Sequence, residues 1–115
     1  MCVEVILKDL PKLSLNQIYA GKHWTKRNKD KNTYKSIIQS QFNSVFSANQ
    51  VYSVAYEFHF KNKPFDTSNT VYMLKMIEDV IFKEDTYKII PELIIKSKKA
   101  KEDFVLIKVT TLQKA

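Results

Sequence analysis

One segment near the middle of the chain constrains the fold more than any other: residues 51–61, which read VYSVAYEFHFK. Tyr52, Val54, Tyr56, Phe58 and Phe60 alternate with residues that are mostly small or polar. Successive side chains of a β-strand point to opposite faces of its sheet, so this period of two predicts a half-buried strand. The other elements can be placed around it.

The remaining elements are predicted from periodicity and from breaks in the chain. Apolar residues from Tyr34 to Phe46 recur at spacings of three and four, which predicts a helix. Pro64 interrupts the chain, and Ser68 or Asn69 is suited to cap a second helix. β-Branched and aromatic segments predict further strands. The predicted elements are a strand at 3–7, a helix at 25–48, a strand at 51–61, a helix at 69–82, and strands at 87–96 and 104–112.

This βαβαββ order predicts the fold class. Strands joined through helices, followed by two consecutive strands that close as a hairpin, predict an α/β (α+β) domain. We expect a mixed sheet with two helices packed on it. A length of 115 residues is enough for one core, so residues 1–115 are predicted to form a single domain.

Composition limits the classes of function. The formal net charge is +7, and such an excess attracts polyanions, although it can also serve solubility alone. Gly21 is the only glycine, which excludes a glycine-rich nucleotide-binding loop. Cys2 is the only cysteine, which excludes an intrachain disulfide and a cysteine-based zinc cluster. No apolar stretch approaches the ~20 residues that span a bilayer, so we expect a cytoplasmic protein without membrane partners.

A basic and aromatic cluster follows the first predicted strand, at residues 16–35. Cations next to aromatic rings suit DNA, because the cations bind phosphates and the rings stack on unpaired bases. The alternative is a solvated helix start with Trp24 tucked into the core. The predicted DNA-binding residues of this cluster are Asn16, Tyr19, Lys22, His23, Trp24, Lys26, Arg27 and Lys31.

A second basic run surrounds the predicted closing turn, SKKAKED. Lys98 and Lys99 lie at the tip of the predicted hairpin, where we expect them to contact DNA. A charged turn that is merely solvated is the alternative.

Carboxylates gather around the second predicted helix, in residues 65–90. Asp66, Asp79, Glu84 and Asp85 flank a mostly apolar segment whose polar side carries Lys75. Grouped carboxylates bind Mg²⁺, and a water on the ion can attack a phosphodiester, so the cluster suits nuclease chemistry. Structural alternatives are an interaction of Asp66 with the helix N-terminus and a surface pair of Lys75 with Asp79.

The same residues resemble the signature of the RusA family of Holliday junction resolvases. That signature has an Asp-x-Asp-Asn motif, a lysine, an aspartate four residues later and a late acidic pair. Here these positions are the run from Asp66 to Asn69, then Lys75, Asp79 and Glu84-Asp85, and LSLNQIYAGKHWTKR resembles the start of phage-type members. Ser68 stands where the second aspartate is expected.

The resemblance implies a crossover junction endodeoxyribonuclease that acts in DNA recombination and repair. Asp66, Lys75, Asp79 and Asp85 would be catalytic, Asn69 would contact DNA, and Mg²⁺ or Mn²⁺ would be the cofactor. The metal ligands would be Asp66, Asp79, Glu84 and Asp85. The implied substrate is a four-way junction or other branched DNA.

Two symmetric cuts require two sites, so a homodimer is implied. The helix predicted at 69–82 has two apolar faces and separates Asp66 from Asp85, so we expect it to pack at the twofold axis and to build a site shared between subunits. Two alternatives remain open: a degenerate relative that binds branched or single-stranded DNA without cutting it, for which Ser68 is the main argument, and a small interaction protein of a phage or mobile element.

Overall fold

The computed structural model describes residues 1–21 and 23–112, with the side chain of Tyr19 left out. It has an α+β fold in which a four-stranded mixed sheet carries helices on one face, and this confirms the predicted fold class. The strands are β1 (Cys2–Lys8), β2 (Val51–Phe60), β3 (Glu92–Lys99) and β4 (Phe104–Leu112). The helices are α1 (Asn16–Tyr19), α2 (Trp24–Gln41) and α3 (Val71–Ile81), and a 3₁₀ turn at Thr67–Thr70 precedes α3.

The sheet order is β1-β4-β2-β3, which makes the predicted closing hairpin wrong. β4 lies between β1 and β2 and is antiparallel to both, whereas β3 pairs in parallel with the other side of β2. Residues 100–103 therefore cross the end of β2. There the Ala100 amide donates to the Phe60 carbonyl at 2.8 Å, and the Asp103 carboxylate accepts from the Lys61 amide at 2.7 Å.

The core lies between this sheet and the helices. All five alternating apolar residues of β2, from Tyr52 to Phe60, are buried, as the sequence predicts. They pack with β1, β4 and the inner sides of α2 and α3. In α3, seven of 11 residues are buried within the one chain. The apolar sides of this helix are thus already covered, which removes one of the two reasons to expect α3 at a dimer interface.

α2 ends at Gln41, earlier than the predicted end at residue 48, because Gln41 is tied to β1. Its side-chain amide accepts a hydrogen bond from the Lys8 amide at 2.7 Å and donates one to the Lys8 carbonyl at 2.6 Å. Phe42 is already extended, with φ −142°. Phe46 then stacks on Phe82 at 5.1 Å between ring centroids instead of continuing the helix.

The ends of α3 and β3 also differ from prediction. Neither Ser68 nor Asn69 caps α3 with its side chain; they belong to the 3₁₀ turn, where the Asn69 amide donates to the Asp66 carbonyl at 2.9 Å. β3 begins at Glu92 because residues 86–90 form a turn and Pro91 has no amide hydrogen. In the described part of the chain, no helix combines the length and the apolar character that a membrane span needs.

Candidate functional site

A groove separates α2 from α3 on the side of the helices away from the sheet. Its first part has a volume of about 460 Å³ and begins at α1. A second part, of about 390 Å³, continues toward the ends of both helices and shares Lys31, Met76 and Asp79 with the first. Early residues of α2 and of α3 line the first part and later ones the second, so the two helices run in the same direction.

Cations line the α2 side of the groove. Arg27 and Lys31 flank the first part, and Lys35 lines the second. On the α3 side, Lys75 and Asp79 lie one helical turn apart on the same edge. The groove thus brings three predicted DNA-binding residues, Trp24, Arg27 and Lys31, next to two predicted catalytic residues.

Trp24 is at the mouth of the groove and is 60% exposed, so the alternative in which it is tucked into the core is wrong. His23 caps α2: its Nδ1 accepts a hydrogen bond from the Thr25 amide at 3.2 Å. The His23 ring also stacks beside the Trp24 indole, with 5.9 Å between centroids. His23 therefore helps to start the helix that presents Trp24.

Lys75 lies between two carboxylates on the outer side of α3. Its ammonium is 2.8 Å from Oδ2 of Asp85 and 3.1 Å from Oε1 of Glu78. Asp85 reaches this position because the chain turns back after α3, where Phe46 and Phe82 form a β-bridge. Lys75 and Asp85 therefore meet within one chain, whereas Asp66 is not part of this cluster, so a site shared between subunits stays a prediction.

The protonation states of this cluster follow from burial and from its hydrogen bonds. Burial, together with a hydrogen bond to Asp85, raises the pKa of Glu78 to about 7. Hydrogen bonds from Lys75 and Glu78 lower the pKa of Asp85, and the contact with Asp85 raises that of Lys75. Near neutral pH the cluster therefore holds a charged ammonium, an ionised Asp85 and a Glu78 that exchanges its proton.

Tyr56 lies beneath the cluster on β2. Burial and the nearby carboxylates of Glu78, Asp85 and Asp79 raise its pKa, so the phenol stays protonated. Its side chain is fully buried, and within the described residues its hydroxyl has no hydrogen-bond partner. A buried hydroxyl of this kind is unusual, because such groups are normally hydrogen-bonded.

The other predicted carboxylates are less closely placed. Asp66, at the start of the 3₁₀ turn, is exposed, as are Asp79 and Glu84. In residues 1–21 and 23–112, no three His, Cys, Asp or Glu side chains form a group that could hold a metal ion. The predicted ligand set of Asp66, Asp79, Glu84 and Asp85 is thus not assembled as one cluster, and its role stays a prediction.

The predicted DNA contacts at Asn16 and Asn69 lie on neighbouring segments. Asn16 begins α1, and the Leu15 amide before it donates to the Asn69 carbonyl at 3.1 Å. This bond holds the 3₁₀ turn against the start of α1. Lys26 is exposed on the first turn of α2. Lys22 and the side chain of Tyr19, also predicted contacts, lie outside the described parts of the chain.

The second basic run lies on β3, away from the groove. Lys98 points to the sheet face opposite the helices, where it meets Glu57 at 3.3 Å. Lys108 and His59 approach the same carboxylate at 3.4 and 3.6 Å. Lys99 ends β3 beside Phe60. These lysines are therefore on a strand rather than at the predicted hairpin tip.

Sequence reasoning missed Glu78 and Tyr56. The available signal for Glu78 was a second carboxylate next to Asp79, between Ile77 and Ile81 on an apolar helix and three residues after Lys75. Tyr56 gave no such signal, because its position in the alternation of β2 is that of an ordinary core residue. Neither a known family model nor a curated protein sequence matches this chain.

Proposed function

We propose that this protein is a metal-dependent, structure-specific endonuclease that cuts branched DNA such as a four-way junction. One observation carries the proposal: the α2–α3 groove has Arg27 and Lys31 on one side and Lys75, linked to Glu78 and Asp85, on the other. Phosphate-binding cations and a neighbouring carboxylate cluster, joined to the groove through Lys75, are the parts that phosphodiester hydrolysis requires.

The donor set fits Mg²⁺. This ion usually takes one or two protein carboxylates and completes its coordination with water and substrate phosphates, so it needs no group of three protein ligands. Glu78 and Asp85 would hold it, and the Lys75 ammonium between them marks a place where positive charge is favourable. Bound there, the ion would supply Lewis-acid activation of water.

The side chains of the groove would bind the DNA backbone and stabilise the charge that develops during cleavage. Arg27 and Lys31 bind the phosphate backbone, since a guanidinium and an ammonium both donate to phosphate oxygens. Lys75, which lines the groove and is 53% exposed at its side chain, would offset negative charge that develops on the phosphate. Asp79 faces the same groove and, with Asp66, remains a proposed catalytic residue and metal ligand.

A second candidate is a protein that binds branched or single-stranded DNA without cutting it. The observation that favours it is the pairing of Lys75 with both carboxylates, which already neutralises the cluster without any metal. Ser68, exposed in the 3₁₀ turn, is a weaker metal ligand than the aspartate of the RusA-like motif.

Cleavage of a labelled four-way junction, with Mg²⁺ or with chelator, distinguishes the two. The unmodified protein should cut only with the metal, whereas Asp85→Asn and Glu78→Gln should bind the junction near the original level and not cut it. Glu92→Gln, on an exposed position of β3, is the matched control and should cut normally. Binding without cleavage by the unmodified protein would favour the second candidate.

Two related assignments remain part of the proposal. A homodimer would supply the two sites that paired cuts require. Action in the cytoplasm agrees with the exposed, unpaired thiol of Cys2, the only cysteine of the chain.

A further inference from the structure

The first part of the α2–α3 groove differs in character from one end to the other. At the end near α1, Leu15, Ile18, Trp24 and Val71 form an apolar lining. Farther along, Arg27, Lys31 and Lys75 line it with cations. Trp24 and Lys31 are seven residues apart on α2, about 10 Å along the helix axis, so the apolar and cationic regions adjoin.

Trp24 is the residue of the apolar end that is best suited to bind a ligand. It is the only tryptophan of the chain, and more than half of its surface is exposed beside the partly buried Leu15 and Ile18. The His23 cap starts the helix immediately before Trp24. An exposed indole with apolar neighbours is a surface on which a flat ring stacks.

The boundary between the two regions is polar, and of its groups Arg27 is the one that can bind an anion. The Tyr72 hydroxyl donates to Asp30 at 2.7 Å, and Arg27 lies near enough to Tyr72 to oppose the rise of its pKa. The Nε atom of Arg27 is shielded from solvent and, within residues 1–21 and 23–112, has no hydrogen-bond partner. A buried guanidinium N–H without a partner is costly unless an acceptor is supplied.

We propose that this part of the groove binds one unpaired nucleotide of a DNA strand, with its base stacked on Trp24 and its phosphates held by Arg27 and Lys31. The groove, at about 460 Å³, is within the usual range of small-molecule sites. A duplex keeps its bases stacked on each other, so only an unpaired or splayed base can occupy the apolar end. The inference rests on the proposed function and adds that the protein recognises an unpaired base of the branched DNA.

The test uses the fluorescence of Trp24, the single indole of the 115-residue chain, with chelator present so that no strand is cut. A single-stranded thymidine 8-mer should quench the emission. A blunt duplex and inorganic tripolyphosphate should bind through the cations with little quenching. Equal quenching by the duplex or by tripolyphosphate would overturn the base contact. Equal quenching by free thymidine monophosphate at the same concentration would show that the groove binds a free nucleotide as well as it binds a DNA strand. It would overturn the proposal that the bound nucleotide belongs to a strand.

A variant gives a second, independent readout. Trp24→Ala should weaken binding of the 8-mer about 5- to 150-fold, the range for loss of one base–aromatic stack, and should leave duplex binding nearly unchanged. Tyr87→Ala removes another exposed aromatic ring, 78% exposed and outside the groove lining, and should leave both affinities unchanged. Equal losses for 8-mer and duplex would overturn the proposal.

The outcome is separable from that of the proposed function. Quenching by the 8-mer in a protein that never cuts a junction would support the nucleotide site and contradict the endonuclease. Junction cleavage by a protein whose Trp24 fluorescence is quenched by no DNA would support the endonuclease and contradict the nucleotide site.

Discussion

Glu78 is the one acidic residue among the buried side chains of α3, which are otherwise apolar or aromatic. Its side chain is almost fully buried, and its contacts are Lys75 on one side and Asp85 on the other. Burial disfavours the charged form, whereas Lys75 favours it, and burial is the larger effect because the pKa rises to about 7. The free energy of unfolding is therefore linked to the protonation of this one residue.

The sign of that linkage can be worked out. A carboxyl whose pKa rises from 4.5 in the unfolded chain to about 7 in the folded one binds its proton more tightly when folded. Its contribution to stability is complete below pH 4.5 and is lost as the pH rises through 7. The glutamine of Glu78→Gln cannot ionise, so the variant should not show this pH-dependent loss of the free energy of unfolding. The loss amounts to at most about 3 kcal/mol. The melting temperature between pH 5 and 8, measured with chelator, should fall less in the variant.

Exposed Glu84 provides the control for this pH dependence. Glu84→Gln should keep the pH dependence of the unmodified protein over the same interval. If Glu78→Gln and the unmodified protein lose the same amount of stability between pH 5 and 8, Glu78 ionises as an ordinary surface carboxyl and the account of the cluster is wrong.

At the scale of elements, the irregular segment between α2 and β2 is held by aromatic rings rather than by regular hydrogen bonding. Phe46 contacts Phe42, Tyr52 and Phe82, with ring centroids 5.1 to 5.7 Å apart. Its backbone also bridges to Phe82, which directs the chain back toward Lys75. We expect Phe46→Ala to lower the free energy of unfolding by about 2–3 kcal/mol, somewhat less than for a fully buried phenylalanine.

Urea unfolding measures this effect, and the neighbouring residue serves as the control. Val45 is 56% exposed, so Val45→Ala should change the free energy of unfolding by no more than about 0.5 kcal/mol. Similar losses in both variants would show that the segment is stabilised by its chain conformation and not by the ring cluster.

The same scale shows what the sequence could predict. The alternation of β2 and the periodicity of α2 and α3 determine which faces are buried, because those periods are properties of single elements. The helix end at Gln41 depends on two hydrogen bonds to Lys8, which is 33 residues away. A local sequence pattern does not predict such long-range contacts. The position of β3 beside β2 is likewise non-local, since alternation does not distinguish a hairpin partner from a parallel neighbour.

The candidate site divides in the same way. Trp24, Arg27 and Lys31 were predictable because they cluster in the sequence, and the structure places them on one groove. Asp85 joins Lys75 and Glu78 only because the chain turns back after Phe82. The cluster of Lys75, Glu78 and Asp85 forms within one chain, but Asp66 is not part of it, so a site shared between subunits stays a prediction.

At the scale of the whole molecule, an excess of seven positive charges attracts any polyanion, so weak DNA binding alone does not locate the interface. The two basic surfaces lie on opposite sides of the sheet: the groove on the helix side, and Lys98 with Lys108 around Glu57 on the other. Those two lysines also neutralise a buried carboxylate, and they lower its pKa although burial acts in the opposite direction. Lys98 and Lys108 are thus engaged with a carboxylate, whereas Arg27 and Lys31 flank the open groove, which we expect to be the DNA interface.

Salt dependence separates local contact from overall charge. Each phosphate contact with duplex DNA contributes about 0.9 to the slope of log K against log salt, so replacing Arg27 and Lys31 by alanine should reduce the slope for a duplex arm by about 1.8. Lys61 and Lys88 are exposed and outside the groove lining, and their double alanine variant lowers the net charge equally. Because long-range attraction depends on the charge total and counterion release on the contacts, the control should bind somewhat more weakly with an unchanged slope. Affinities measured by anisotropy from 50 to 200 mM salt give both slopes; equal slopes in the two variants would move the duplex interface off α2.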